Sequence, residues 1–199
     1  APAPPPPAPR AAPSLLLGVF GFVLLAASLY LRSRVAVEAV DVEGLSMYAT
    51  LENNDYLIAN KIDYRLHSPQ RGDIIILRPP ADNSKDFIKR VIGIPGDTVS
   101  LENGRVFVAP AGGSPVRLDE PYVVLGIDGT AAPPLPRNAQ GTTSWTIAAG
   151  TYFVMGDNRP DSQDSRFFGP VKRDLFVGRA WLRLCRYFML PPLRPGMVA

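Results

Sequence analysis

Residues 86–94 read D-F-I-K-R-V-I-G-I. Two adjacent bases sit inside a run rich in Val and Ile. In an extended strand, successive side chains point to opposite faces. Phe87, Lys89, Val91 and Gly93 then share one face, and Ile88, Arg90, Ile92 and Ile94 share the other. One base must therefore stand on a largely apolar face. A lysine buried there would lose its proton more readily than free lysine, whose pKa is about 10.4, because desolvation disfavours the charged form. A lysine that snorkels from a strand edge fits the same pattern.

The same texture continues on both sides. V-A-V-E-A-V-D-V, D-Y-L-I-A, G-D-I-I-I-L, R-V-F-V-A, Y-V-V-L-G-I and T-Y-F-V-M-G are short apolar runs separated by E-N-N-D, R-G-D, P-G-D, E-N-G and A-G-G-S-P. Strands punctuated by such turns predict a mostly β, antiparallel domain with small or absent helices. Asn103-Gly104, between Leu101 and Val106, predicts a two-residue hairpin. Residues 109–149, rich in Gly, Pro, Ala and Thr, read as an irregular insertion.

Upstream, residues 14–31 carry no charge over 18 positions. As a helix they would span about 27 Å, close to the minimum for a bilayer. Arg32 and Arg34 close the run like a stop, which favours a retained transmembrane anchor over a cleaved leader. Residues 1–13 are almost all Ala and Pro and predict an extended, disordered tail. Residues 186–199 predict a loose C-terminal tail.

Composition narrows the function. A net charge of +3 with no run of bases gives no footprint for nucleic acid. Cys185 is the only cysteine, so no internal disulfide forms and cysteine–histidine metal sites are excluded. No acidic loop of calcium-binding type is present, and we expect neither metal nor cofactor. Bases comprise 17 Arg and four Lys, and only Lys can lose its proton within the ordinary range.

Three stretches carry candidate chemistry. Residues 42–51, V-E-G-L-S-M-Y-A-T-L, set Ser46 between Leu45 and Met47, as a turn residue or a nucleophile. A serine needs a neighbouring base. The single histidine, His67, lies in a polar, turn-like stretch and reads as a surface residue. Lys89 is the alternative base. Residues 156–169, G-D-N-R-P-D-S-Q-D-S-R-F-F-G, crowd three Asp, two Arg and two Ser together directly after an apolar strand. Asp164 and Arg166 could pair there, and a buried pair of that kind fixes geometry more than it stabilises. Ser162 or Ser165 could bond a nearby amine. A charged surface loop is the plain alternative.

These motifs, with R-G-D-I-I-I-L and F-I-K-R-V-I-G-I-P-G-D, stand in the order found in type I signal peptidases, which the chain resembles over most of residues 40–180. The resemblance implies a serine endopeptidase that removes signal peptides from exported preproteins. It implies Ser46 as nucleophile and Lys89 as its base, 43 positions apart. It implies that Ser162 bonds the lysine amine and that Asp157, Arg159, Asp164 and Arg166 brace the site. It implies a peptidase domain at 35–185 with a smaller inserted β subdomain at 101–148. Gly44 stands where some members have an oxyanion-binding serine, so the oxyanion falls to backbone N–H groups, chiefly that of Ser46. Ala49 replaces a usual proline and Asp161 a common Asn; we expect a looser turn after Met47.

A substrate would bind extended, as an added strand, against Asp41–Val42–Glu43 and Asp86–Phe87–Ile88, with small pockets selecting Ala-x-Ala. Partners are then preproteins and the lipid bilayer, which Leu45, Met47 and Tyr48 could enter. We expect a monomer, single-pass in the plasma membrane, with its catalytic domain outside the cytoplasm. Arg10 against Arg32 and Arg34 favours the reverse orientation by charge alone, so this side is assigned from function. A self-cleaving Ser–Lys regulatory protein, an inactive membrane-anchored β domain and an organellar processing peptidase are the rival readings. The uncharged run at 14–31 argues against the first, and the presence of both Ser46 and Lys89 against the second.

Overall fold

The structure is a computed structural model that describes residues 13–80, 85–123 and 143–184, apart from the side chains of 13–17 and 31–35. Of the expected tail at 1–13, residues 1–12 lie outside the described residues, as do the tail at 186–199 and the middle of the expected insertion at 124–142; Pro13, expected in the tail, instead begins a helix. The chain divides into two units, Ala1–Ala36 and Val37–Ala199.

The first unit holds one helix, α1 (Pro13–Ala36). It continues past Leu31, the expected end of the apolar run, because Arg, Ser and Ala offer no breaker. Apart from half-buried Ala36, its described apolar side chains, Phe20, Phe22 and Leu25 among them, are all exposed. They belong to residues 18–30, about 20 Å of helix. Among the described residues no helix is long and apolar enough to cross a membrane.

The second unit is built from antiparallel strands. In chain order they are β1 (Val37–Asp41), β2 (Tyr56–Asn60), β3 (Ile74–Leu77), β4 (Phe87–Gly93), β5 (Thr98–Glu102), β6 (Arg105–Ala109), β7 (Val116–Arg117), β8 (Ser144–Thr146), β9 (Thr151–Met155), β10 (Val171–Lys172) and β11 (Phe176–Leu184). Two one-turn helices, α2 (Asp63–Leu66) and α3 (Ser165–Phe168), lie between them. The larger sheet has the order β1-β2-β11-β3-β4-β9-β10, and the smaller β7-β6-β5-β8. Every pairing is antiparallel.

Local chemistry explains the joints. The β5–β6 hairpin pairs Glu102 with Arg105 across Asn103-Gly104, both at positive φ (49° and 74°), the geometry for which Asn-Gly is preferred. β5 and β6 bury alternate residues, as expected where one face meets the core. β4 differs: it is central, and Ile88 through Gly93 are all buried. Ile88, Ile76, Leu57, Met47 and Leu51 pack on one side, and Val91, Ile75, Leu77 and Val154 on the other. Further along, Ile92, Phe153 and Met155 pack with Val99, Leu101, Val106 and Val108, so the smaller sheet rests on the ends of β4 and β9. Each fully buried Ile or Leu contributes about 2–3 kcal/mol. Lys89 and Arg90 thus occupy the middle of the best-packed strand, at 3% and 1% exposure.

Candidate active site

Ser46 sits in a tight turn between β1 and β2. Val42 N donates to Asp55 O and Asn54 N to Val42 O, closing the base of the loop. Gly44 takes φ +92°, a left-handed conformation that glycine adopts without strain, and its N–H donates to Asn53 Oδ1 at 2.8 Å. Tyr48 N and Leu51 N then donate back to Leu45 O and Met47 O. The Tyr48–Ala49 peptide is cis. Met47 and Leu51 are buried and pin the turn to the core, while Leu45 and Tyr48 point outward.

Lys89 reaches this turn from β4. Its Nζ lies 2.7 Å from Ser46 Oγ and donates to Ile88 O at 3.0 Å. Burial, the largest cause, lowers its pKa to about 8; Asp164 pulls it upward, Arg166 downward, and Asp157 and Asp161 upward. About a tenth of the amine is then neutral at pH 7. A neutral amine at 2.7 Å can accept the serine proton. His67 forms an exposed pair with Asp63 at 3.2 Å.

Residues 156–166 lie behind this pair as an interior ionic lattice. Asp164, fully buried, accepts from Gly156 N at 3.0 Å, Ser162 Oγ at 2.7 Å and Arg166 Nε at 2.8 Å. Arg166 also donates to the carbonyls of Arg159 and Ser162. The Ser162 proton is thus committed to Asp164, and the hydroxyl has only lone pairs left for an amine. Asp157 takes a bidentate bond from Arg90, at 2.9 and 2.7 Å, and a third from Thr50 Oγ1 at 2.5 Å. Thr50 belongs to the Ser46 turn, so one carboxylate joins that turn to β4. Arg159 donates to Gly156 O at 3.0 Å and pairs with Glu120.

Two further bonds grip the nucleophile from the same segment. Asn158 N donates to Ser46 O and Asn158 Nδ2 to Leu45 O, both at 3.0 Å. A Cβ on Gly156 would lie 2.5 Å from Ser46 O and 2.6 Å from Ser162 Cβ, so only glycine fits there.

The serine and lysine open into a cleft of about 870 Å³. Asp41, Val42, Glu43, Asp86, Phe87 and Ile88 all line it, together with Asp161 and Gln163. Val42 and Ile88 are core residues, so they present mainly backbone to the cleft. β3 pairs with Phe87–Arg90, whereas β9 pairs only with Arg90, Val91 and Gly93. On the β9 side, Phe87 to Lys89 therefore have no strand partner among the described residues. Lys85 and Glu43 form an exposed pair at the rim. Among the described residues no group of three or more His, Cys, Asp or Glu is placed to hold a metal.

Sequence reading named Ser46, Lys89, Ser162, Asp157, Arg159, Asp164 and Arg166. The structure bonds Lys89 to Ser46 and links the others in the 156–166 lattice, but the Lys89 amine bonds Ser46 Oγ and Ile88 O and not the expected Ser162, whose hydroxyl goes to Asp164. Sequence reading missed Arg90, Thr50, Asn158, Glu120 and Tyr122. Arg90 had a signal, since two adjacent bases in a strand must face opposite ways. Glu120 and Tyr122 had none, because they lie in a stretch that read as irregular.

A serine hydroxyl on a buried lysine amine, at the mouth of a cleft edged by extended backbone, has the parts of a hydrolase that attacks extended peptides. Comparison with known proteins agrees. A family model described as signal peptidase, peptidase S26, matches residues 15–185. The chain is 40% identical over 158 residues to a probable signal peptidase I-2 of Synechocystis sp., covering 77% of this chain and 65% of that one. It is 39% identical over 176 residues to a signal peptidase I of Leptolyngbya laminosa, covering 84% and 78%. A solved signal peptidase I from Enterococcus faecalis superposes with a TM-score of 0.46 at 32% identity, over 58% of this chain and 98% of that one. The chain belongs to the signal peptidase family, peptidase S26.

Proposed function

We propose that this chain is a membrane-anchored serine endopeptidase that removes N-terminal signal peptides from exported preproteins by a Ser–Lys dyad. Family membership and the names of its relatives support the reaction class. The observation that carries the dyad is the 2.7 Å contact between Ser46 Oγ and the buried Lys89 amine, whose pKa falls to about 8.

Neutral Lys89 takes the Ser46 proton as Oγ attacks the scissile carbonyl. The Ser46 backbone N–H stabilises the oxyanion, a contribution of about 2.7–4 kcal/mol for one such donor. The lysine ammonium then protonates the departing amine, and a water deprotonated by the same lysine frees the acyl-enzyme. Asp164 and Arg166 hold Ser162, whose free lone pairs accept from the amine in its charged state. Asp157 and Arg159 hold Arg90 and Gly156, and through them the two sides of the dyad.

The substrate enters as a strand between Asp41–Glu43 and Asp86–Ile88, where the partner-free edge of β4 offers hydrogen bonds. We take the residues before the cut to be small, in the pattern Ala-x-Ala, lying along the cleft lined by Asp41–Glu43 and Asp86–Ile88. The uncharged run at 14–31 anchors the chain in the plasma membrane with residues 35–185 outside the cytoplasm. Exposed Leu45 and Tyr48 then meet lipid beside the cut site. The enzyme acts as a monomer without metal or cofactor.

The test is cleavage of a preprotein bearing an Ala-x-Ala site by the detergent-solubilised full chain. Sequencing of the product N-terminus should place the cut after the second small residue, and Ser46→Ala should be inactive. Equal cleavage by wild type and Ser46→Ala would sink the reading, as would protease protection showing a cytoplasmic 35–185 domain in intact membranes.

A further inference from the structure

The loop that follows β7 crosses to the ionic lattice and contacts two of its arginines, Arg159 and Arg90. Glu120, half-buried, receives both guanidinium nitrogens of Arg159, one at 3.2 Å and the other closer. Its Oε1 also accepts the Tyr122 hydroxyl at 3.2 Å. The Arg90 guanidinium carbon lies over the Tyr122 ring, 3.9 Å from its centroid. A turn bond from Val123 N to Glu120 O, 3.1 Å, holds the two side chains in register. Arg159 is 3% exposed and Arg90 1% exposed, so neither has solvent to replace what the loop supplies.

Each arginine leads to one half of the dyad. Arg159 Nε holds Gly156 O, and Gly156 is wedged against Ser46 O and Ser162. Arg90 neighbours Lys89 on β4 and shares Asp157 with Thr50 of the nucleophile turn. The smaller sheet has no other polar bridge of this kind among the described residues of β5 to β8. A carboxylate and a ring from one tripeptide thus fix two buried cations that set the Ser46–Lys89 spacing.

We infer that Glu120 and Tyr122 are positioning residues for the Ser–Lys dyad, and that the smaller sheet serves catalysis by delivering them. The inference rests on the peptidase reading above. Losing the Glu120 charge leaves Arg159 buried without a counter-ion, and such a cation relocates or draws in water. A shift of about 1 Å at reacting atoms costs roughly 100-fold in rate. Glu120 and Tyr122 touch Arg159 and Arg90 and neither of the stretches Asp41–Glu43 and Asp86–Ile88 that would hold the substrate, so affinity is spared.

The experiment measures kcat and KM for preprotein cleavage by the full chain and by Glu120→Gln, Glu120→Asp, Tyr122→Leu and Tyr122→Phe. Each is assayed beside its own thermal melt. Glu120→Gln and Tyr122→Leu should lose at least 10-fold in kcat with KM within 2-fold. Tyr122→Phe keeps the ring over Arg90 and should stay within 3-fold of wild type, and Glu120→Asp should recover part of the loss. Unchanged kcat in Glu120→Gln and Tyr122→Leu would overturn the inference. So would a loss that only matches each variant's unfolded fraction, or one that appears in KM instead. An inactive wild type would instead defeat the peptidase reading itself.

Discussion

Replacing Gly156 by alanine puts one methyl group where the structure has room for none. The added carbon would lie 2.5 Å from Ser46 O and 2.6 Å from Ser162 Cβ. Ordinary contact needs about 3.4 Å or more, so Ser46 O must retreat by roughly 0.9 Å, and Ser162 Oγ, which lies closer still, by more. Ser162 is tied to Asp164, and Ser46 O to Asn158 N, so neither moves freely. The softer side is the exposed nucleophile turn, and its retreat lengthens the Ser46–Lys89 contact. Overpacking of this size costs about 1–3 kcal/mol, or roughly 2–10 °C in Tm for a chain of this length. A displacement near 1 Å at the nucleophile costs about 100-fold in kcat. The assay is preprotein cleavage at a temperature where the variant is folded, with the melt recorded in parallel. Gly156→Ala should be folded and should lose between 10- and 100-fold in kcat. A folded variant with kcat within 2-fold of wild type would refute the claim that Gly156 sets the position of Ser46.

Lys89→Met should abolish cleavage while raising stability at neutral pH. The amine's pKa falls from 10.5 when unfolded to about 8 when folded, which weighs about 3 kcal/mol against the buried ammonium. Below about pH 8 both states hold the proton and the cost is complete. Between about 8 and 10.5 the folded state releases it first, so wild-type stability rises with pH, and above 10.5 the cost is gone. The difference between wild type and Lys89→Met in denaturant melts should therefore shrink from pH 7 to 10.5; a constant difference would contradict the depressed pKa. Asp157→Ala strands Arg90 and frees Thr50, and should cost about 3–5 kcal/mol in urea unfolding. A cost below 1 kcal/mol would mean that Arg90 finds another partner.

Much of this arrangement is legible in the sequence because it is local. Asn103-Gly104 dictates its own backbone, and the hairpin register follows. The two bases of β4 predict one buried cation by strand alternation alone. The structure buries both, since β4 is covered on both faces, and no periodic pattern reveals that a strand is central. The pairing of Asp164 with Arg166 is visible from two-residue spacing. The partner of Asp157 is not, because Arg90 lies 67 positions away and only the β4–β9 register brings them together. Glu120 and Tyr122 are harder still: two residues in a Pro- and Gly-rich stretch carry no period, and their role exists only through buried arginines elsewhere.

The central claim is that a buried lysine of depressed pKa, acting through its neutral form, replaces histidine as the base for Ser46. The most direct measurement is kcat/KM for preprotein cleavage by the full chain across pH 5–10, beside Lys89→Ala. The account predicts a tenfold rise per pH unit below about 8, a plateau above it, and no activity in the variant at any pH. A profile flat from pH 6 to 10, or Lys89→Ala cleaving at the wild-type rate, would contradict it.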